Sequence, residues 1–187
     1  MSARSGQQAE RRARVVSAAM ALAAKGGYDA VQMRSVAQEA DVALGTLYRY
    51  FSSKDELLLA GLEQLAEDMQ IQLAEHPAQG ATSHERVTKV LGVLCDLLEA
   101  EPLRAHALVT ALSSSDPAVA EHSLVVQARL KAMIADAVDG DQVDDMEGVV
   151  HVLGMVWFAS MLSWVAGRSA RGTMATELEL AARMLLR

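Results

Sequence analysis

The stretch Gly45-Thr46-Leu47-Tyr48-Arg49-Tyr50-Phe51-Ser52-Ser53-Lys54 decides how this chain is read. It sets two phenolic hydroxyls, an arginine and a lysine within one short helix and the start of the next. Tyr and Arg side chains reach phosphate oxygens, and a helix N-terminus near Lys54 is itself an anion site. The residues before it read as a helix, Gln32 to Ala40, and a tight turn, Asp41-Val42-Ala43. Helix, turn and short aromatic-basic helix form the helix-turn-helix pattern, whose second helix enters the major groove of DNA. Thr46 and Leu47 fall near the start of that helix, where side chains approach base edges, and Leu44 is a further candidate. Gly45 lets the backbone come close to the duplex. Tyr48, Tyr50 and Lys54 are the expected phosphate contacts, and Arg34 adds a basic group on the preceding helix.

Working outward, a first helix is expected from about Gln8 to Lys25. Val15, Val16, Ala19, Leu22 and Ala23 give it an apolar stripe at helical spacing, and Gly26-Gly27 stops it. Ser53-Lys54-Asp55-Glu56 is a capping box that starts a fourth helix, with Leu58, Leu62, Leu65 and Met69 on one face. That helix ends before His76-Pro77, and residues 77–82 read as a linker. A fifth helix spans His84 to Glu99. Pro102 suits the first turn of a sixth, and Asp116-Pro117 opens a seventh that reaches about Val138. Asp139-Gly140-Asp141 reads as a turn. An eighth helix covers Asp144 to Gly167, Arg168 to Gly172 is a loop, and a ninth runs from Thr173 to Leu186.

The composition agrees with an all-helical protein. Half the residues are apolar, Ala and Leu are abundant, and the three prolines, Pro77, Pro102 and Pro117, all sit at helix edges. One cysteine, Cys95, excludes an internal disulfide and suits a reducing cytoplasm. The N-terminus lacks the apolar run of a signal peptide. The formal net charge of -7 looks wrong for a DNA binder until its distribution is seen. Residues 1–56 carry eight Lys/Arg against six Asp/Glu, whereas residues 57–187 carry nine against eighteen. A basic end can meet phosphates while an acidic remainder keeps the molecule soluble and oriented. By itself such a split is also what an ordinary solvated face looks like.

No catalytic set survives inspection. His84-Glu85-Arg86-Val87-Thr88 starts like a zinc-protease helix but has Thr88 where the second His must stand. The acidic run Asp139 to Asp145 lacks the spacing of a calcium loop. The five histidines are scattered, no Gly-rich phosphate loop is present, and Cys95 lies in an apolar helix. The chain therefore reads as a non-enzyme without metal or cofactor. A pocket for a small apolar molecule is the natural purpose of the second half. Leu108, Leu112, Met133, Trp157, Met161 and Trp164 are its candidate lining, because Met adapts and Trp offers a broad apolar surface. Trp157, Met161 and Trp164 share one helical face. Plain core packing would use the same residue types.

From Gly148 to Gly167 there is no charged residue. Such a segment has the length of a bilayer span, but Gly154, Ser160, Ser163 and His151 interrupt it and its neighbours are amphipathic. A helix apolar all round is more simply buried on both sides, inside the subunit and against a second copy. Met155, Ala159 and Ser163 suit a close helix contact, and Leu178, Ala181, Ala182 and Leu185 make a matching stripe on the ninth helix. A homodimer without membrane attachment is expected.

The run AAKGGYDAVQMRSVAQEADVALGTLYRYFSSKDELL resembles the TetR family of transcriptional regulators. Gly45, Leu47, Tyr48, Tyr50, Phe51 and Lys54 sit where that family's signature places them. Gln32 stands where the family often has Thr, and Ala43 where it often has a helix-capping Ser, a cap worth about 1 kcal/mol. The resemblance implies an N-terminal three-helix unit over residues 1–54 and a larger ligand-binding and dimerisation bundle over 55–187, about nine helices in all. It also implies a palindromic double-stranded operator, cytoplasmic location and a four-helix dimer contact built from the last two helices. Together with VWFASMLSWVAGRSARGTMATELELAARMLL, the sequence is similar to the KstR-type branch, repressors of actinobacterial sterol catabolism. That branch implies release from DNA by an acyl-coenzyme A thioester of a steroid or fatty acid. The rival readings are a family member controlling another process, such as efflux of hydrophobic compounds, and a helical small-molecule binder without a DNA role.

Overall fold

The structure, a computed structural model, describes residues 3–138 and 143–186. Among the described residues there are nine helices and no strand: α1 Ala3–Ala30, α2 Met33–Glu39, α3 Leu44–Tyr48, α4 Lys54–Glu75, α5 Ser83–Ala100, α6 Pro102–Leu112, α7 Pro117–Val138, α8 Met146–Val165 and α9 Thr173–Leu185. The all-helical expectation holds. The Asp139-Gly140-Asp141 turn lies outside the described residues. Helix α1 is broken where the glycines predicted a stop, since Gly26 and Gly27 leave helical geometry and Gly27 takes φ 69°. A left-handed φ is what glycine supplies without strain.

The chain divides into two contact units, Met1–Leu65 with Glu101–Val126, and Ala66–Ala100 with Gln127–Arg187. The unit that holds the helix-turn-helix therefore extends past the expected boundary at residue 54 and takes in α6 and the start of α7. In it α6 packs on α1, α2 on α1, and α3 on α2. Val15, Ala19, Val36, Leu47, Leu57, Leu58 and Leu59 are fully buried there. The α2–α3 turn is made by Asp41 at φ 52°, a left-handed position that Asp tolerates better than most residues.

The N-termini of α4 and α7 are capped jointly. Ser53 Oγ accepts from Glu56 N at 3.1 Å and donates to Asp116 Oδ2 at 2.8 Å, while Asp116 Oδ1 accepts from Ala118 N at 3.0 Å. The expected capping box is half right. The Glu56 carboxylate reaches back one residue further, to Ser52 N at 2.6 Å and Ser52 Oγ at 2.7 Å.

In the second unit α5 and α8 both pack against α9. Gly172, the N-cap of α9, has no side chain to cap with, and the buried Glu99 of α5 substitutes for one. Its two oxygens accept from Gly172 N at 2.9 and 3.1 Å, with Arg171 Nε at 3.4 Å. A carboxylate at a helix N-terminus also meets the positive end of the helix dipole. The complementary arrangement closes α7, where Arg86 donates to the carbonyls of Ala137 at 2.6 Å and Val138 at 2.8 Å.

Cys95 is buried, and burial, with Glu99 and Asp96 adding to it, pushes its thiol up to about 12. The thiol should stay unmodified by a disulfide reagent at neutral pH in the native protein and react fully once denatured. Rapid stoichiometric labelling of the native state would show that the α5 core opens readily.

Candidate functional site

The reading helix α3 has only five residues and no side-chain cap, since Ala43 occupies its N-cap position. The same holds for α2, whose N-cap Gln32 turns its amide to Asp29 O instead. Leu47 and Phe51, four residues apart, are buried and seat α3 on its own unit. Leu47 is thus corrected from a base-edge candidate to a packing residue. The opposite side of α3 is open. Tyr48 is 52% exposed, Leu44 and Gly45 are exposed and Thr46 is half-buried. A Cβ built on Gly45 would meet no atom within 4 Å. The protein itself therefore places no demand for glycine at this position.

The same unit carries exposed basic groups. Arg34 and Arg49 are exposed, as are Arg11 and Arg14 of α1, and none has an acidic partner among the described residues. Arg12 lies 5.0 Å from the centre of the Phe51 ring, which brings α1 beside the α3–α4 junction. Tyr50 and Lys54 are half-buried. Lys54 is seated against Tyr28, a partner that sequence reasoning passed over. Burial and the hydrogen bond to Asp55 push the Tyr28 hydroxyl up to about 12.

The six expected pocket residues are shared between the two units. Leu108 and Leu112 belong to the first unit, Met133, Trp157, Met161 and Trp164 to the second. Leu108 and Met161 are plain core, while Leu112, Trp157 and Trp164 are half-buried. Met133 borders a cavity of about 500 Å³, with Leu73, Ala74, Gln79, Arg86 and Val90 among its other walls. Apolar residues at helical spacing serve core and cavity equally, so the sequence pattern alone does not separate the two uses. The indole nitrogen of Trp157 is shielded from solvent and has no hydrogen-bond partner among the described residues.

Helix α8 is long and apolar enough to cross a membrane, and only 22% of its most apolar window is buried within the chain. Val149, Leu153, Ser160 and Met161 face inward; Val152, Phe158, Ala159 and Leu162 are exposed, as is Met155 at 59%. On α9 the expected stripe needs correction. Leu178 and Ala182 are buried in their own unit, and Ala181 and Leu185 are half-buried. The open apolar side is Leu180 and, at 61% exposure, Met184. With Val156, Ala159, Ser163 and Ala181 these form an open groove of about 450 Å³ between α8 and α9.

A short helix seated by a buried heel and open on its far side, in a unit that carries exposed arginines, fits the helix-turn-helix class. Residues 15–60 match the bacterial regulatory proteins of the tetR family, and residues 80–185 match the tetracyclin repressor-like C-terminal domain. The chain belongs to the TetR family of transcriptional regulators. It is 36% identical over 180 residues to the HTH-type transcriptional repressor KstR of Mycolicibacterium smegmatis, covering 96% of this chain and 88% of that protein. A TetR transcriptional regulator from Rhodococcus sp. RHA1 superposes with a TM-score of 0.85 at 27% identity, over 96% of this chain and 97% of its own. The repressor FadR of Thermus thermophilus, solved in complex with lauroyl-CoA, gives 0.74 at 25% identity, over 94% and 93%.

Gly45→Val is expected to fold like the parent, since its side chain enters open space, yet to lose about tenfold or more in DNA affinity. Circular dichroism and a fluorescence-anisotropy titration check the two halves. Parental affinity in a folded variant would show that α3 does not approach the duplex at Gly45.

Proposed function

We propose that this chain is a ligand-responsive, DNA-binding transcriptional repressor of lipid or sterol catabolism genes, working as a homodimer in the cytoplasm. The observation that carries the reading is the open face of α3 on the buried Leu47–Phe51 heel. Leu44, Gly45, Thr46 and Tyr48 would face base edges and backbone, with Arg34, Tyr50 and Lys54 on phosphates of a palindromic operator. Functionally, residues 1–54 would read DNA, and 55–187 would bind the effector and dimerise.

The effector is proposed to be an apolar acyl-coenzyme A thioester, of a steroid or a fatty acid. The relatives support that class, and the cavity beside Met133 supports a place for it. Apolar burial yields about 25 cal/mol per Å², so a sterol-sized body could supply most of the affinity. Helix α4 carries Leu73 and Ala74 at that cavity and Lys54 at its start. A ligand that displaces its second half would act on the phosphate contact, with a coupling of about 1–3 kcal/mol.

The test is a titration of steroid and straight-chain acyl thioesters against the protein bound to palindromic DNA from its own promoter region. Release of DNA and quenching of Trp fluorescence should share one concentration range. Release by none of these thioesters, but by an unrelated hydrophobic compound, would move the chain to a different regulatory role.

The open face of α8 and α9 is proposed to meet a second copy about a two-fold axis, with Met155, Ala159, Ser163 and Ala181 beside Leu180 and Met184. Met184→Arg puts a charge on that face while leaving the buried Leu178 and Ala182 untouched. Sedimentation should then find folded monomers with weakened operator binding. A folded dimer of parental stability would place the interface elsewhere.

A further inference from the structure

Lys54, the first residue of α4, does not project freely into solvent. Its ammonium nitrogen lies 3.6 Å from the centre of the Tyr28 ring and donates to the Tyr28 carbonyl oxygen at 3.3 Å. The Tyr28 hydroxyl donates in turn to Asp55 Oδ1 at 2.5 Å. Three groups of one tyrosine thus act on two consecutive residues of α4. Gly27, turned to φ 69°, delivers Tyr28 to this place at the end of α1.

A lysine side chain is flexible, and holding it against a phosphate costs side-chain entropy. A ring face and a carbonyl that fix the ammonium beforehand remove part of that cost. An ammonium has three donors. The Tyr28 carbonyl takes one and leaves two for a phosphate oxygen. Asp55 is the nearest competitor for the lysine charge in sequence, and the Tyr28 hydroxyl engages its carboxylate.

We propose that Tyr28 is a positioning residue for DNA binding: it presents the Lys54 ammonium to a backbone phosphate and keeps Asp55 from neutralising it. The proposal rests on the reading of Lys54 as a phosphate contact. A purely structural role, tying the end of α1 to α4, would alter stability and leave the number of phosphates neutralised unchanged. The salt dependence of binding separates the two, because each lost phosphate contact lowers its slope by about one unit.

The experiment uses the full chain and a duplex of random sequence, so that only phosphate contacts are read. Fluorescence anisotropy is followed over a range of salt concentrations for the parent, Lys54→Ala, Tyr28→Phe, Tyr28→Leu and Tyr28→Leu with Lys54→Ala. Lys54→Ala and Tyr28→Leu should each lower the slope by about one unit, and the pair by no more than either alone. Tyr28→Phe, which keeps the ring and the carbonyl but frees Asp55, should lower the slope by less than Tyr28→Leu does, and a fully parental slope would overturn the role given to the hydroxyl. A parental slope in Tyr28→Leu beside a lowered one in Lys54→Ala would overturn the positioning role alone. A parental slope in Lys54→Ala would overturn the phosphate reading and this proposal with it. Should Tyr28→Leu fail to fold, the Lys54 ε-methylene protons of the parent decide: an upfield ring-current shift supports the seat, and random-coil values overturn it.

Discussion

The five-residue helix α3 cannot hold itself in shape. One helical turn fixes several backbone dihedrals for very few hydrogen bonds, so its nucleation is unfavourable in isolation. No side chain caps it either. What keeps it helical is the burial of Leu47 and Phe51 against a unit whose core includes Val36, Ala37 and Ala40. The reading surface is therefore a consequence of tertiary packing. Ala43 can stand where a capping hydroxyl would help, because the heel contributes more than a cap worth about 1 kcal/mol. This also explains why the residues facing outward, Leu44, Gly45 and Tyr48, contribute so little to their own support.

The helices were legible because their ends are punctuated. Gly26-Gly27, Ser53, Pro102 and Asp116-Pro117 mark termini by backbone geometry or side-chain capping, and the structure starts or breaks helices at each. The side-chain assignments were less legible where one pattern serves two purposes. Leu47 and Phe51 repeat at four residues, the signature of a buried stripe, yet both sit inside a motif read for its outward contacts. On α9, Met174, Leu178 and Ala182 form the inner stripe. Leu180 and Met184 form an outer one that the neighbouring Glu179 and Arg183 disguise as a solvated face. The Tyr28–Lys54 pairing leaves no trace in the sequence, since only the fold brings residues 26 apart into contact.

Helix α8 shows how much a single chain leaves unfinished. Its inner side is spent on its own unit, and its outer side is as apolar as the inner one. The hydroxyl of the buried Ser160 donates to the Glu177 carboxylate across the α8–α9 groove. A polar tie inside an apolar groove fixes the register of the two helices, whereas apolar packing alone would tolerate sliding. The open apolar face of α8 and α9 is accordingly held in one register.

The unit that carries the reading helix is not continuous in sequence: it needs Glu101–Val126 as well as the first 65 residues. Helix α6 packs on α1, and the Ser53–Asp116 hydrogen bond joins residues 63 apart. During synthesis, then, the helix-turn-helix segment leaves the ribosome long before the residues that complete its support. At about 5–20 residues per second, several seconds pass before the side of α1 that meets α6 can be covered. Late contacts of this kind slow folding, because loop closure comes before any gain from burial. The nascent chain thus completes the support of its helix-turn-helix only after α6 and the first turns of α7 have emerged.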